Sequence, residues 1–261
     1  MQSLIIKSIF PELSREHSAT LLPDLLSEIH IGTFPGLICN RGEELQIEFS
    51  KDGSPVRKVN NRSNFRVTGF LPSNKNGNIQ PYESPIELSG LLYLEASPIV
   101  KSYQVQPAYI GYILDGKRHT HVPDVIAELV NGQMVFIEFK DIGYLNDSHL
   151  VSRSEHLRRT LPAYGYSYFV VIPDQMPAIL QANCEELTRK AVKKFSAETR
   201  ENIRAVMTRL GMVSLKSLLD ILSPLKISKG ELFALICRGD IQINWVMPLT
   251  NESLLIWKEQ A

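Results

Sequence analysis

The sequence predicts an α/β fold: a mixed sheet flanked by helices, with a smaller helical unit attached behind it. Three observations predict this. Between residues 84 and 172 the pattern runs helix, antiparallel strands, helix, strand, an order that a mixed sheet covered by helices satisfies. Two dipeptides, Asp115-Gly116 and Asn131-Gly132, are tight-turn signals set between apolar runs. Beyond about Pro177 the apolar positions take helical spacing instead.

Taken in order, residues 1 to about 50 hold short apolar pieces interrupted by Pro11, Pro23 and Pro35, and are expected to wrap or extend the sheet domain. The polar, Asn- and Gly-rich stretch 54–82, ending in SNKNGNIQPYES, reads as surface loop. Ser84 with Glu87 three residues on is a capping box, and Pro85 suits the first helical position. That helix runs through LSGLLYLEA and stops near Pro98. SYQVQPAYIGYIL, rich in Tyr, Val and Ile, reads as strand up to Asp115-Gly116. HVPDVIAELV and QMVFIEFK are two more strands, joined through Asn131-Gly132. A helix is expected over Ser148 to Tyr164 and a buried strand at SYFVVIP. CEELTRKAVKKF, ENIRAVMTRL and LKSLLDIL are helical, and KGELFALICRGDIQINWVMPLTNESLLIW reads as a helix and two short strands. Such an ending suits a winged-helix-like module.

Composition narrows the class. The chain has 261 residues, 44% hydrophobic, and no run of about 18 apolar residues, so no membrane span is expected. The N-terminus lacks the basic start, longer apolar run and cleavage site of a secretory signal. Three scattered cysteines (Cys39, Cys184, Cys237) with no CxxC pair point to reduced thiols in a cytoplasmic protein, not to a disulfide framework or a zinc site. Net charge is zero, but its distribution is uneven. From Lys51 to Lys75 the only acid is Asp52, against Arg57, Lys58, Arg62, Arg66 and Lys75, a candidate phosphate-binding patch. Arg189, Lys190, Lys193, Lys194, Arg200 and Arg204 form a second basic group.

The chemistry concentrates on one hairpin. Asp124 follows Pro123 early on one strand; Glu138 and Lys140 lie on the next, two apart and so on one face. The Asn131-Gly132 turn makes Asp124 and Glu138 cross-strand neighbours. Two carboxylates and an ammonium among Val, Ile and Phe are costly without a counter-charge, and a divalent metal supplies one. Mg²⁺ takes a few carboxylates together with waters and phosphate oxygens. Lys140 would then orient or help deprotonate water attacking phosphorus. His121, shortly before Asp124, is placed to support the site or to contact a phosphate. A helix-borne acid upstream would complete the set, with Glu87, Glu83 and Glu95 as candidates. The plain alternative is a surface hairpin with a weak Glu–Lys ion pair.

The ordered motifs RxxNxRSNFRVTGFLPSNK, YESPIE, LLYLEASPIVKSYQVQP, HVPDV and FIEFK resemble those of the TnsA endonucleases, partner subunits of Tn7-like TnsA/TnsB transposases, over roughly Val56 to Pro173. The resemblance implies a restriction-endonuclease-like PD-(D/E)XK domain at 56–175 and a winged-helix-like domain at 176–261, with 1–55 an N-terminal extension. It places the catalytic residues at Glu87, Asp124, Glu138 and Lys140, and Mg²⁺ (with Mn²⁺ as a substitute) on Glu87, Asp124 and Glu138. Some relatives carry Gln at the third position. It implies cleavage of the 5′, non-transferred strands at transposon ends in a bacterial cytoplasm. The implied partners are DNA, a TnsB-like DDE transposase and a TnsC-like AAA+ ATPase, the last contacted through the C-terminal domain. Two other functions compete: an autonomous restriction or repair endonuclease of the same fold, and a non-catalytic DNA-binding assembly subunit.

Overall fold

The computed structural model describes residues 45–57, 67–191 and 194–258. Its architecture is mixed α/β. Strand β1 (Gln46–Phe49) comes first, then the hairpin β2 (Gly69–Pro72) and β3 (Ile79–Tyr82). Helix α1 (Pro85–Ala96) leads into β4 (Val100–Val105), β5 (Ala108–Leu114), β6 (Lys117–His121), β7 (Val125–Leu129) and β8 (Met134–Phe139). Helix α2 (Ser148–Thr160) and β9 (Tyr166–Val171) complete this part. The central sheet has four strands in the order β4-β7-β8-β9, antiparallel except for the parallel β8/β9 pair. A second, three-stranded sheet has the order β1-β5-β6.

Two chain crossings set this arrangement apart from the sequence expectation. SYQVQPAYIGYIL was expected as one strand, but it breaks at Gln106-Pro107 into β4 and β5, which belong to different sheets. Gln106 takes a positive φ of 44° there, and its N–H donates to the Asp124 carbonyl at 2.8 Å. HVPDVIAELV likewise breaks around Val122-Pro123, where the chain returns to the central sheet. Proline has no N–H for a ladder, so each Pro marks a place where pairing stops. Asp124 thus sits where the chain re-enters the central sheet.

The turns follow the expected residues. Asp115 and Gly116 both have positive φ, as a two-residue hairpin turn requires, and Gly132 takes 85° between β7 and β8. The stretch 54–82, expected as loop, contains the β2/β3 hairpin. Its polar turn is ordered by a buried acid: Glu95 accepts from Ser73 Oγ (2.8 Å), Asn74 N (2.6 Å) and Lys75 N (3.0 Å).

Side chains alternate along β8 in the way the pleat demands. Val135, Ile137 and Phe139 face α1, joining Leu91, Leu94, Val125 and Ala127 in one core. Phe136 faces the other way, into a core with Ile126, Leu157, Leu161 and Tyr168 beneath α2. Glu138 shares that second parity. Gly90 lets α1 approach β8 closely, since a Cβ there would run into the Phe139 ring.

Past Pro177 come α3 (Ala178–Lys190), α4 (Ala197–Leu210), β10 (Val213–Ser214), α5 (Leu215–Leu222), α6 (Lys229–Arg238), β11 (Ile241–Gln242) and β12 (Leu254–Trp257). The last three-stranded sheet has the order β10-β12-β11; its two-residue β10 is too short to read from sequence. Leu180, Cys184 and Leu187 of α3 belong to the α1 core, which runs on without a break into Leu232, Phe233 and Leu255. Cys184 and Cys237 are buried free thiols. No helix among the described residues is long and apolar enough to cross a membrane.

Candidate active site

Three of the sequence-selected residues meet where β7 begins and β8 ends. The β7/β8 register pairs Val125 with Ile137, so the next pair outward is Asp124 with Glu138. Asp124 Oδ2 accepts from the Phe139 N–H at 2.7 Å, which anchors its carboxylate against the end of β8. Lys140 prolongs β8, its N–H donating to the Val171 carbonyl at 3.0 Å. Its ammonium lies 2.7 Å from Glu138 Oε1 and 3.8 Å from Asp124 Oδ2. The Glu138 side chain is only 3% exposed, so the surface ion-pair alternative does not describe it; Asp124 and Lys140 are more open, at 19% and 24%.

The helix-borne acid is Glu87. Ser84 caps α1 by accepting from Glu87 N at 3.1 Å, while the Glu87 carboxylate reaches back to Glu83 N at 2.8 Å. The return bond falls one residue earlier than a regular capping box, on Glu83 instead of Ser84. Glu87 and Asp124 act on one another through their charges, and Lys140 acts on both. The two competitors are committed elsewhere. Glu95 holds the β2/β3 turn and accepts from Tyr103 Oη at 2.9 Å, and Glu83 pairs with Arg57 at 2.5 Å.

Electrostatics separates the acids. Burial, then the charge of Glu138, pushes the Asp124 carboxyl up to about 8, against the opposing pull of Lys140 and the Phe139 N–H. Burial also raises Glu87, with the charge of Glu83 adding to it. Glu138 goes the other way. Burial opposes ionisation there too, but the hydrogen bond and charge of His121, with Lys140 and Arg153, outweigh it and hold the carboxyl down to about 2. Lys140 loses to burial but gains more from Glu138 and Asp124, so its pKa is raised and it stays an ammonium.

Arg153, one of the partners of Glu138, escaped the sequence reading. It projects from α2 to Glu138 Oε1 at 3.1 Å. The signal was present: Arg153 lies three residues after Leu150 and four before Leu157, on the stripe that faces the core, where an arginine needs a buried acid. His121, proposed as a phosphate contact or a supporting group, is the second: its Nε2 is 2.8 Å from Glu138 Oε2 and the ring is 8% exposed.

The expected DNA-contact residues divide. Lys58, Arg62 and Arg66 lie outside the described residues. Arg57 is exposed and bonded to Glu83 near the start of α1. Lys75 is not available to a phosphate: its ammonium donates to the carbonyls of Ser97 (2.9 Å), Val100 (2.6 Å) and Cys237 (3.1 Å). Of the second basic group Lys193 lies outside the described residues, while Arg189 and Lys190 pair with Glu186, Arg200 with Asp240 and Arg204 with Glu201.

For a divalent cation the donor set fits in part. Among the described residues, no group of three or more His, Cys, Asp or Glu side chains is placed to hold a metal ion. Asp124 and Glu87 do suit a hard cation. Each keeps one carboxylate oxygen without a hydrogen-bond donor among the described residues, and each is buried enough that its charge is costly alone. Compared with known proteins, the chain matches no family model and no curated protein.

Proposed function

We propose that this chain is a metal-dependent DNA endonuclease of the TnsA type, cleaving the 5′ strands at transposon ends. The observation that carries the reading is the Lys140 ammonium set between Glu138 and Asp124, with Glu87 close enough that its charge acts on Asp124 and Lys140 acts on it. A helix, three antiparallel strands, a second helix and a parallel fourth strand support a restriction-endonuclease-like domain around that site. The order α4, β10, α5, α6, β11, β12, with β12 between the other two strands, supports a winged-helix-like C-terminal module. That module is the candidate contact for a TnsC-like ATPase in the cytoplasm.

Asp124 and Glu87 would hold the Mg²⁺ or Mn²⁺, which when bound supplies positive charge to the phosphate under attack. The chain's own groups do the rest. Lys140, kept protonated by its two carboxylates, donates and orients rather than removing a proton. The Phe139 N–H fixes the Asp124 carboxylate through Oδ2, which leaves Oδ1 to meet a ligand. Arg57, beside Glu83 at the start of α1, is positioned to meet a DNA phosphate at the rim.

Strand-resolved cleavage of a plasmid carrying the transposon ends tests this, with Mg²⁺, using the chain alone, the chain with its TnsB-like partner, and Asp124→Ala with that partner. Cuts on the 5′ strand that need the partner and disappear in Asp124→Ala are the expected result. Cutting by the chain alone makes it an autonomous nuclease. Unchanged cutting by a folded Asp124→Ala variant removes the site assignment.

A further inference from the structure

Glu138 is the acid the sequence pattern would place on the metal, yet its surroundings give it another task. A carboxylate offers about four lone-pair positions. Here Oε1 faces Lys140 Nζ at 2.7 Å and Arg153 Nη2 at 3.1 Å, while Oε2 faces His121 Nε2 at 2.8 Å and the Tyr168 hydroxyl at 3.5 Å. Four side chains from four places along the chain converge on one buried group. A cation bound to Glu138 would have to displace at least one of them and sit against Lys140 and Arg153. Asp124 and Glu87 present no such obstacle, each having among the described residues a single hydrogen-bond donor on one oxygen.

We propose that Glu138 is a positioning residue, braced by Arg153 and His121, that holds the Lys140 ammonium toward Asp124 and does not ligate the divalent cation. The part concerning the cation rests on the endonuclease reading; the part concerning Lys140 does not. The arrangement also accounts for why an arginine sits on the core-facing stripe of α2. It supplies the second full charge that lets a buried carboxylate share an oxygen with lysine instead of being neutralised by a bound metal.

Two measurements on the full chain without DNA test it. The first is calorimetric Mn²⁺ binding to the wild type, Glu138→Gln, Arg153→Lys and Asp124→Asn. Glu138→Gln and Arg153→Lys are expected within about threefold of the wild type, and Asp124→Asn at least about tenfold weaker, since only the last removes a ligand. Equal losses in Glu138→Gln and Asp124→Asn overturn the proposal. The second, in the absence of metal, is the acylation rate of Lys140 read by mass spectrometry, with Lys101 as internal reference. Glu138→Gln and Arg153→Met are expected to speed Lys140 labelling several-fold, and Arg153→Lys to restore protection. Unchanged labelling in Glu138→Gln and Arg153→Met overturns the positioning role. Were the wild type to bind no Mn²⁺, the endonuclease reading would fall while the labelling arm still decided the fate of Lys140. Should Glu138→Gln not fold, the contrast between Arg153→Lys and Arg153→Met decides the same question.

Discussion

Burial and the neighbouring charge of Glu138 hold the Asp124 carboxyl up at about 8, so near neutral pH the folded chain keeps a proton that an unfolded one releases near 3.8. A raised carboxyl pKa costs stability as pH climbs from about 4 to 8, because over that window the native state binds more protons. Glu138 has the opposite sign: depressed from 4.5 to about 2, it stabilises the fold fully above pH 4.5, and that contribution is lost as pH falls from 4.5 to about 2. Asp124→Asn keeps an oxygen for the Phe139 N–H and removes the unfavourable charge. Its melting temperature is expected to exceed the wild type by roughly 2–6 °C at pH 8, with little difference at pH 4. Scanning calorimetry at the two pH values measures this, and a variant less stable than the wild type at pH 8 contradicts the charge assignment. At this scale the sequence spoke for Asp124, Glu138 and Lys140, because strand parity and one turn suffice to align them. Pattern and spacing alone did not choose among Glu83, Glu87 and Glu95; the family resemblance pointed to Glu87. That choice depends on partners far along the chain: Arg57 for Glu83, and Ser73 and Tyr103 for Glu95. Tyr168 and the acid that Arg153 pairs with were hidden for the same reason, each side chain reaching Glu138 from a separate element.

Among the elements, the approach of α1 to β8 decides where Glu87 stands. Gly90 is a helix-interior glycine, which by itself weakens the helix by about 1 kcal/mol relative to alanine. It is tolerated because the Phe139 ring occupies the space a Cβ would take. Gly90→Ala therefore sets a gain in helix propensity against a clash with a buried ring beside Asp124. Overpacking wins: a net loss of about 1–3 kcal/mol is expected, with Glu87 displaced from the site. Urea unfolding measures the loss, and a stabilised Gly90→Ala chain would show that α1 does not rest on Phe139. The hairpins were legible because Asp-Gly and Asn-Gly turns act locally, whereas the jump between sheets at Gln106-Pro107 was not. Valine, tyrosine and isoleucine continue on both sides of that break, and only the pairing of β4 with β7 and of β5 with β1 separates the two strands. The β2/β3 hairpin was missed because its polar turn is stabilised by Glu95, a residue on a helix the local pattern does not include.

Across the whole molecule, the helices after Pro177 are bound to the sheet unit by more than apolar contact. Asn74, in the β2/β3 turn, donates through Nδ2 to the Ala191 carbonyl just past α3 at 3.3 Å. Lys75, from the β2/β3 turn, bonds the Cys237 carbonyl at the end of α6. Burial lowers the pKa of this ammonium, and its bonds to three carbonyls offset that desolvation, so breaking the junction would forfeit them as well as expose Leu180 and Leu187. A shared core of this kind couples the two parts in unfolding. The chain has two tryptophans, Trp245 and Trp257, both buried in the C-terminal part, so their fluorescence reports that part alone. Far-ultraviolet circular dichroism reports every helix and strand. The two signals are expected to give one urea transition with the same midpoint. Lys75→Met, which removes three hydrogen bonds at the junction, should move both midpoints down together. If the fluorescence transition instead came first and left most ellipticity intact, the C-terminal part would be an independently unfolding unit. The route from the Lys140 site to the partner proposed for that part would then have to cross a hinge.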